Sequence, residues 1–314
     1  MTTARSGTSG LLQDPSARAL IAGDLEAIFL PGHGMLGASL RRKNVELLGR
    51  VEDLQTAAAN GSTAGIPFLH PWANRLAGPR YRAAGREVNL DLSSSLLHFD
   101  ERGLPIHGVP WSLLAWEVTD ARADFLAARF DWSRSDLLAL FPFRHHLEMA
   151  VTLHSDSLAI ETTLVAGHDG PVPVSFGFHP YFGISEVPRA EWRLELPAMR
   201  RLVLDEHGIP TGEEKPFDRF DAHLGENDFD DGFALMKEQA SLRIEGAGRR
   251  ITVEFLRGYP YTQVFAPKDK NYIALEPMTA PANALASGRG LRLVEPGGNF
   301  QAVFRISIDG SQSK

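Results

Sequence analysis

The chain contains no cysteine. That excludes disulfides, thiolate nucleophiles and every zinc or iron–sulfur site built on Cys. Excess basic charge is also lacking. Its 32 Lys and Arg against 39 Asp and Glu give a net charge of −7, with no basic run, which argues against nucleic acid or an anionic membrane surface as a partner. No apolar run approaches the length of a bilayer span, and residues 1–19 lack the apolar core of a signal peptide. The cytoplasm is the expected location. Helical periodicity is nearly absent, with short helices predicted only at 53–60 and 283–286.

What remains is turns and alternation. The 29 Gly and 20 Pro are a larger share than the roughly 12% of an average chain, which favours many tight turns. A chain of 314 residues can bury roughly three quarters of its extended surface, so a sizeable core is expected. Residues 143–152, 158–165, 172–178, 250–256, 261–265, 272–275 and 300–308 read as strands by alternation or β-rich content. Strands at this spacing, without intervening helices, predict a mainly β fold, a large antiparallel sandwich or barrel. Residues 1–19 read as a flexible N-terminal tail and 20–310 as a single β-sandwich catalytic domain.

Two motifs fail. Gly32-His33-Gly34-Met35-Leu36-Gly37 matches a dinucleotide-binding glycine pattern, but that pattern needs a following helix to hold a pyrophosphate. Here 38–48 reads as two short strands around Lys43-Asn44. His145-His146 with Glu148 invites a metal, yet alternation puts only His146 and Glu148 on one face, and His145 points away with Leu147 and Met149. Two ligands do not close a site, so a solvent-facing strand surface is the better reading. His154, His168 and His223 fall in polar turns.

Four polar-in-apolar segments carry more. Gly65 to Arg75 (GIPFLHPWANR) ends a proline-stiffened run in Asn74-Arg75; either it presents Arg75 to a ligand, or Arg75 is buried against a structural carboxylate. Pro105 to Trp111 (PIHGVPW) places His107 in a tight turn. In Val174 to Phe182 (VSFGFHPYF), alternation turns Val174, Phe176 and Phe178 to the core and Ser175, Gly177 and His179 to the other face. The absent side chain at Gly177 suggests room for a ligand beside His179, and Pro180 holds His179 extended. Asn271 to Thr279 (NYIALEPMT) sets Glu276 on the polar face at an expected strand end, where burial would raise its pKa toward neutrality. Together these offer one base, two imidazoles and one Arg on rigid strands.

At these residues the sequence resembles the aldose 1-epimerase (galactose mutarotase) family, through IPFLHPWANRLAG, IHGVPW, FGFHPYF, NDFDDGFAL and ALEPMTAPANAL, in the family's order. The likeness runs from about Leu20 to Ile308. It implies a β-super-sandwich with an open concave cleft, and no cofactor. By position Glu276 matches the family's general base and His179 its general acid. Arg75 and His107 match the sugar-binding pair, Asn74 lies beside them, and Asp230, three residues before Phe233, matches the ligand-binding Asp, with Asp231 the neighbour to be told apart from it. Gly183-Ile184 after Phe182, and Met278-Thr279 after Glu276-Pro277, depart from the family's commoner residues. The departure beside Glu276 bears on substrate more than on reaction.

The expected activity is anomerisation of a free hexose, with a small-molecule sugar as partner and a monomer or weak homodimer as the assembly. A hexose-6-phosphate epimerase would need more cations at the cleft rim, for which Arg80, Arg82 or Arg102 are available. A non-catalytic sugar-binding module would have no need of the Glu276–His179 pair, and a cupin-like metalloenzyme would need more ligands than His146 and Glu148. Trp72 and Trp111 are either core or an apolar face for a sugar.

Overall fold

A computed structural model describes residues 9–52 and 54–310. Its architecture follows from the alternation. Along His145–Leu153 every odd-numbered residue is buried, and Asn299–Gly310 repeats the pattern through Phe300, Ala302, Phe304, Ile306 and Ile308. Such strands have one apolar face and need a second layer to cover it. They form the middle of a nine-stranded antiparallel sheet running, in spatial order, Phe220–His223, Arg193–Leu196, Ala240–Gly246, Arg249–Arg257, Asn299–Gly310, Ser157–Ala166, His145–Leu153, Phe125–Trp132 and Glu117–Ala121.

An eight-stranded sheet covers it. Pro210–Phe217, Met199–Leu204, Phe229–Leu235, Tyr261–Ala266, Ile273–Met278, Gly177–Phe178 and Phe68–Leu69 lie side by side, and Tyr181–Phe182 pairs with Ile273–Met278 as well. The layers meet through rings: Phe178 of the second sheet lies 4.9 Å from Phe304 of the first. The main apolar core draws residues from Leu20 to Ile308. The fold is therefore the mainly β, large antiparallel sandwich expected. Among the described residues no helix is long and apolar enough to cross a membrane.

Helices are short: Leu54–Asn60 and Ala284–Ser287 fall where expected, and Ser135–Leu140 is a further helix at a place where none was predicted. No helix follows Gly37; Leu36–Arg42 is a strand paired with Val45–Glu46, and Lys43 and Asn44 turn between them with φ of 49° and 65°.

Three expectations are corrected. The stretch 172–178 is two strands rather than one. Val172–Val174 pairs with Arg292–Val294 in a small separate sheet, Gly177–Phe178 joins the large one, and between them Ser175 gives its carbonyl to the Ala73 amide at 2.7 Å. Glu276 is not at a strand end: Ile273–Met278 continues through Pro277, which sits opposite Thr262, and on its other side the neighbours are only the two-residue strands Gly177–Phe178 and Tyr181–Phe182. A proline is tolerated where so little ladder is at stake. Finally, the segment read as a tail is packed over its described part, 9–19. Ser9–Leu12 is a helical turn, Leu11 and Leu12 lie against the core, Asp14 bonds His33 at 3.0 Å, and a strand begins at Arg18. Residues 1–8 of that reading lie outside the described residues.

Candidate active site

Register assembles one wall of the site. Residues opposite each other in antiparallel strands share a face. Asp230 lies opposite Phe265, Gln263 opposite Glu276, and Ala274 opposite both Phe265 and Tyr181. One face of the eight-stranded sheet thus carries Asp230, Gln263, Phe265, Glu276 and Tyr181, with Ala274 leaving space among them. Asp231 falls on the opposite face and pairs with Arg201 at 3.5 Å, so Asp230 is the cleft residue of the two; the Gln263 amide donates to its Oδ1 at 2.7 Å.

Two loops supply the opposite wall. The His107 amide donates to the Asn74 carbonyl at 3.0 Å, and the Asn74 amide donates back to His107 Nδ1 at 3.2 Å. Both residues are left-handed, with φ of 58° and 63°, a conformation that Asn and His tolerate better than most but that still stores strain. Gly108 allows the approach, since a Cβ there would lie 2.3 Å from the His70 carbonyl oxygen. As Nδ1 of His107 accepts, the ring proton resides on Nε2. Burial holds His107 well below the usual histidine range, and positive charge on His179, His98 and Arg75 adds to this, so His107 is a neutral donor.

Asn74 uses its Oδ1 on the Arg75 amide at 2.7 Å. Arg75 donates from Nε to Asp100 at 2.6 Å and has Glu101 at 3.9 Å. Both readings of Arg75 therefore hold, as it is paired with a structural carboxylate and also lines the cleft. Burial pushes Asp100 up, but hydrogen bonds from Arg75, Leu104 and Arg102 outweigh it and keep the carboxyl below its ordinary range.

At the floor, His179 Nε2 lies 3.0 Å from Glu276 Oε1, and the Glu276 residue is 1% exposed. Burial raises the Glu276 pKa; the charge and hydrogen bond of His179 oppose this without cancelling it. Neither Glu276 Oε2 nor His179 Nδ1 has a protein partner among the described residues. The Tyr181 ring stacks on His179 at 4.4 Å, and its hydroxyl, bonded to Thr63 at 2.7 Å, reaches His179 Nε2 at 3.5 Å. Burial keeps that hydroxyl protonated.

The cavity within this open cleft is about 200 Å³. It brings together all six residues singled out from the sequence, Glu276, His179, Arg75, His107, Asp230 and Asn74, and adds Arg50, Thr63, His98, Asp100, Tyr181, Gln263 and Phe265. Other expectations do not survive. The gap at Gly177 is filled by protein rather than ligand, since a Cβ there would meet the Pro277 carbonyl at 2.8 Å and Ala73 at 3.0 Å. Trp72 and Trp111 are core, at 1% and 2% exposure. Arg80, Arg82 and Arg102 are exposed and are not among the residues lining the cleft. His146 and Glu148 pair on the sheet's outer face at 3.3 Å, and His223 belongs to a strand, not a turn.

Comparison with known proteins places these features. The family model described as aldose 1-epimerase matches residues 31–307. The uncharacterized protein YihR of Escherichia coli K12 is 24% identical over 311 residues, covering 91% of each chain. A galactose mutarotase-like protein from Clostridium acetobutylicum superposes with a TM-score of 0.79 at 20% identity, over 93% of this chain and 94% of that one. A putative aldose 1-epimerase from E. coli K12 gives 0.75 at 23% identity, over 94% and 99%.

Proposed function

Because the chain belongs to the aldose 1-epimerase family, we propose that it interconverts the α and β anomers of a hexose with a free anomeric hydroxyl, of galactose or glucose type, by acid–base opening and closure of the ring. Glu276 takes the proton of the anomeric hydroxyl, the C1=O bond forms as the bond from C1 to the ring oxygen breaks, and His179 delivers a proton to that oxygen. The aldehyde turns about the C1–C2 bond, and the same two residues, with roles reversed, close the ring on its other face. Protons are conserved over the cycle.

The observation that carries this reading is the buried Glu276–His179 pair, 3.0 Å apart at the floor of a polar cleft. A carboxylate lifted by burial is a better base near neutrality than an exposed one, because catalysis is most efficient when the pKa approaches the working pH. Each such group contributes about 10²–10⁴-fold, so the pair supplies roughly 5–11 kcal/mol of barrier lowering. Arg75, neutral His107, Asn74 and Asp230 hold hydroxyls while the open chain rotates. A module that only bound sugar would have no use for a desolvated carboxylate against an imidazole.

Polarimetry of freshly dissolved α-glucose and α-galactose tests the reading. The protein should speed the drift to equilibrium in proportion to its concentration, and Glu276→Gln should abolish that effect with the circular dichroism spectrum unchanged. A Glu276→Gln protein keeping more than about a tenth of the rate would contradict a general-base contribution of two decades.

A further inference from the structure

Two arginines line the cleft, and only one is neutralised. Arg75 has Asp100 and Glu101. Arg50 meets no carboxylate among the described residues: its guanidinium lies 5.3 Å from the centre of the Tyr181 ring and 5.9 Å from that of Tyr272, and it donates to the Tyr181 hydroxyl at 3.3 Å. It is half-buried. Aromatic faces attract a cation but do not cancel its charge, and a partly desolvated guanidinium without an anion is costly. Its natural complement is a planar or tetrahedral anion bound by its fork of N–H donors. There is room for one. Arg50 stands between the cleft and a second, wider groove of about 750 Å³ on its far side, where it is joined by Gly49, Gly183 and Tyr272.

Its position relative to the reacting atoms narrows the choice. Arg50 bonds the Tyr181 hydroxyl, and that hydroxyl lies 3.5 Å from His179 Nε2. Resting on the function proposed above, His179 serves the ring oxygen. In a hexopyranose the ring oxygen and C6 are both attached to C5, so a group on C6 projects from the ring-oxygen side, toward Arg50. We propose that the site takes aldoses bearing an anionic group on C6, a carboxylate or a phosphate, held by Arg50. The overall charge of −7 favours the neutral hexose expected from the sequence, but a short-range guanidinium contact dominates a screened global charge.

Proton NMR exchange measures anomerisation of D-glucose, D-glucuronate and D-glucose 6-phosphate by the wild type and by Arg50→Gln. Expected is a kcat/KM for at least one anionic sugar tenfold or more above that for glucose, falling with added salt, and a collapse of that ratio by about tenfold or more in Arg50→Gln. The two anionic arms tell carboxylate from phosphate. Equal kcat/KM for all three sugars in the wild type would overturn the proposal, as would an equal loss on all three in Arg50→Gln, which would mean that Arg50 acts only by holding Tyr181 against His179. If Arg50→Gln folds poorly, the salt titration of the wild type decides, because a preference indifferent to salt also overturns it. Glucose turned over without preference removes this inference alone, whereas no turnover of any of the three removes the epimerase reading with it.

Discussion

Among the described residues, two buried pairs built on histidine do different work. His70 and His145 meet Nε2 to Nε2 at 2.9 Å, while His179 meets Glu276 at 3.0 Å. The first pair is walled in by rings: Trp132 stacks on His145 at 5.6 Å and Phe68 on His70 at 5.6 Å. His145 donates its Nδ1–H to the Phe143 carbonyl at 2.6 Å, so its Nε2 must accept, and His70 donates from Nε2. Burial holds His70 well below the usual histidine range and His145 at about 4. Both rings are therefore neutral near pH 7, and the bond between them is a packing device. The second pair is no more exposed, but its partner is a carboxylate and it opens on a cleft. Burial perturbs titration in both places; an ionisable partner and an approach for substrate make one of them chemistry.

The largest test of that contrast removes the carboxylate. Glu276→Gln should lower kcat by about 10²–10⁴-fold with the fold intact, read by NMR exchange. The reciprocal change, His145→Ala, should leave the activity per folded molecule within a factor of two and cost about 2–4 kcal/mol in a urea titration, through the cavity and the unpaired His70 donor. Its sign with pH follows from the direction of the shift. A histidine depressed in the folded state adds stability that is present above its unfolded pKa near 6.5 and is lost as pH falls toward about 4. Wild type should lose on the order of 3 kcal/mol over that window on account of His145, and His145→Phe should flatten the curve.

A smaller effect separates neighbouring carboxylates. Asp230→Asn should raise KM by roughly tenfold, in line with one charge-assisted hydrogen bond, while Asp231→Asn, on the other face of the strand, should change it less than twofold. Smallest is the thermal stability of Glu276→Gln. The folded pKa of Glu276 is raised, so its contribution to stability is full in acid and is lost as pH rises through the folded value. Replacing it should gain about 1 kcal/mol at pH 7–8, roughly 2 °C in Tm by calorimetry.

How far these residues could be read from the chain varied with what holds them. Alternation gave Glu276 its face correctly, because side-chain direction in a strand is local; His179 reaches the same cleft from just past the end of Gly177–Phe178. Alternation could not show that Glu276 lies mid-strand, since proline is a poor guide where the adjacent strand is two residues long. Gln263 was within a strand that was recognised, but its neighbourhood with Glu276 depends on register between strands. Asp100 and Arg50 lie in loops without periodicity, and nothing in Leu47-Leu48-Gly49-Arg50 marks an arginine that stacks on Tyr181 from 131 residues away. Gly177 was misread for a related reason: the missing side chain was plain, but not what fills the space.

The reciprocal bonds between Asn74 and His107, locked by Gly108 against the His70 carbonyl, bear on how this scaffold can be recombined. Each loop supplies the hydrogen-bond partner of the other, so neither is an independent cassette. In chimaeras with a relative of different sugar preference, a crossover between residues 75 and 106 would join two half-interfaces that were never selected together. Exchange of 65–110 as one block would carry the whole interlock intact.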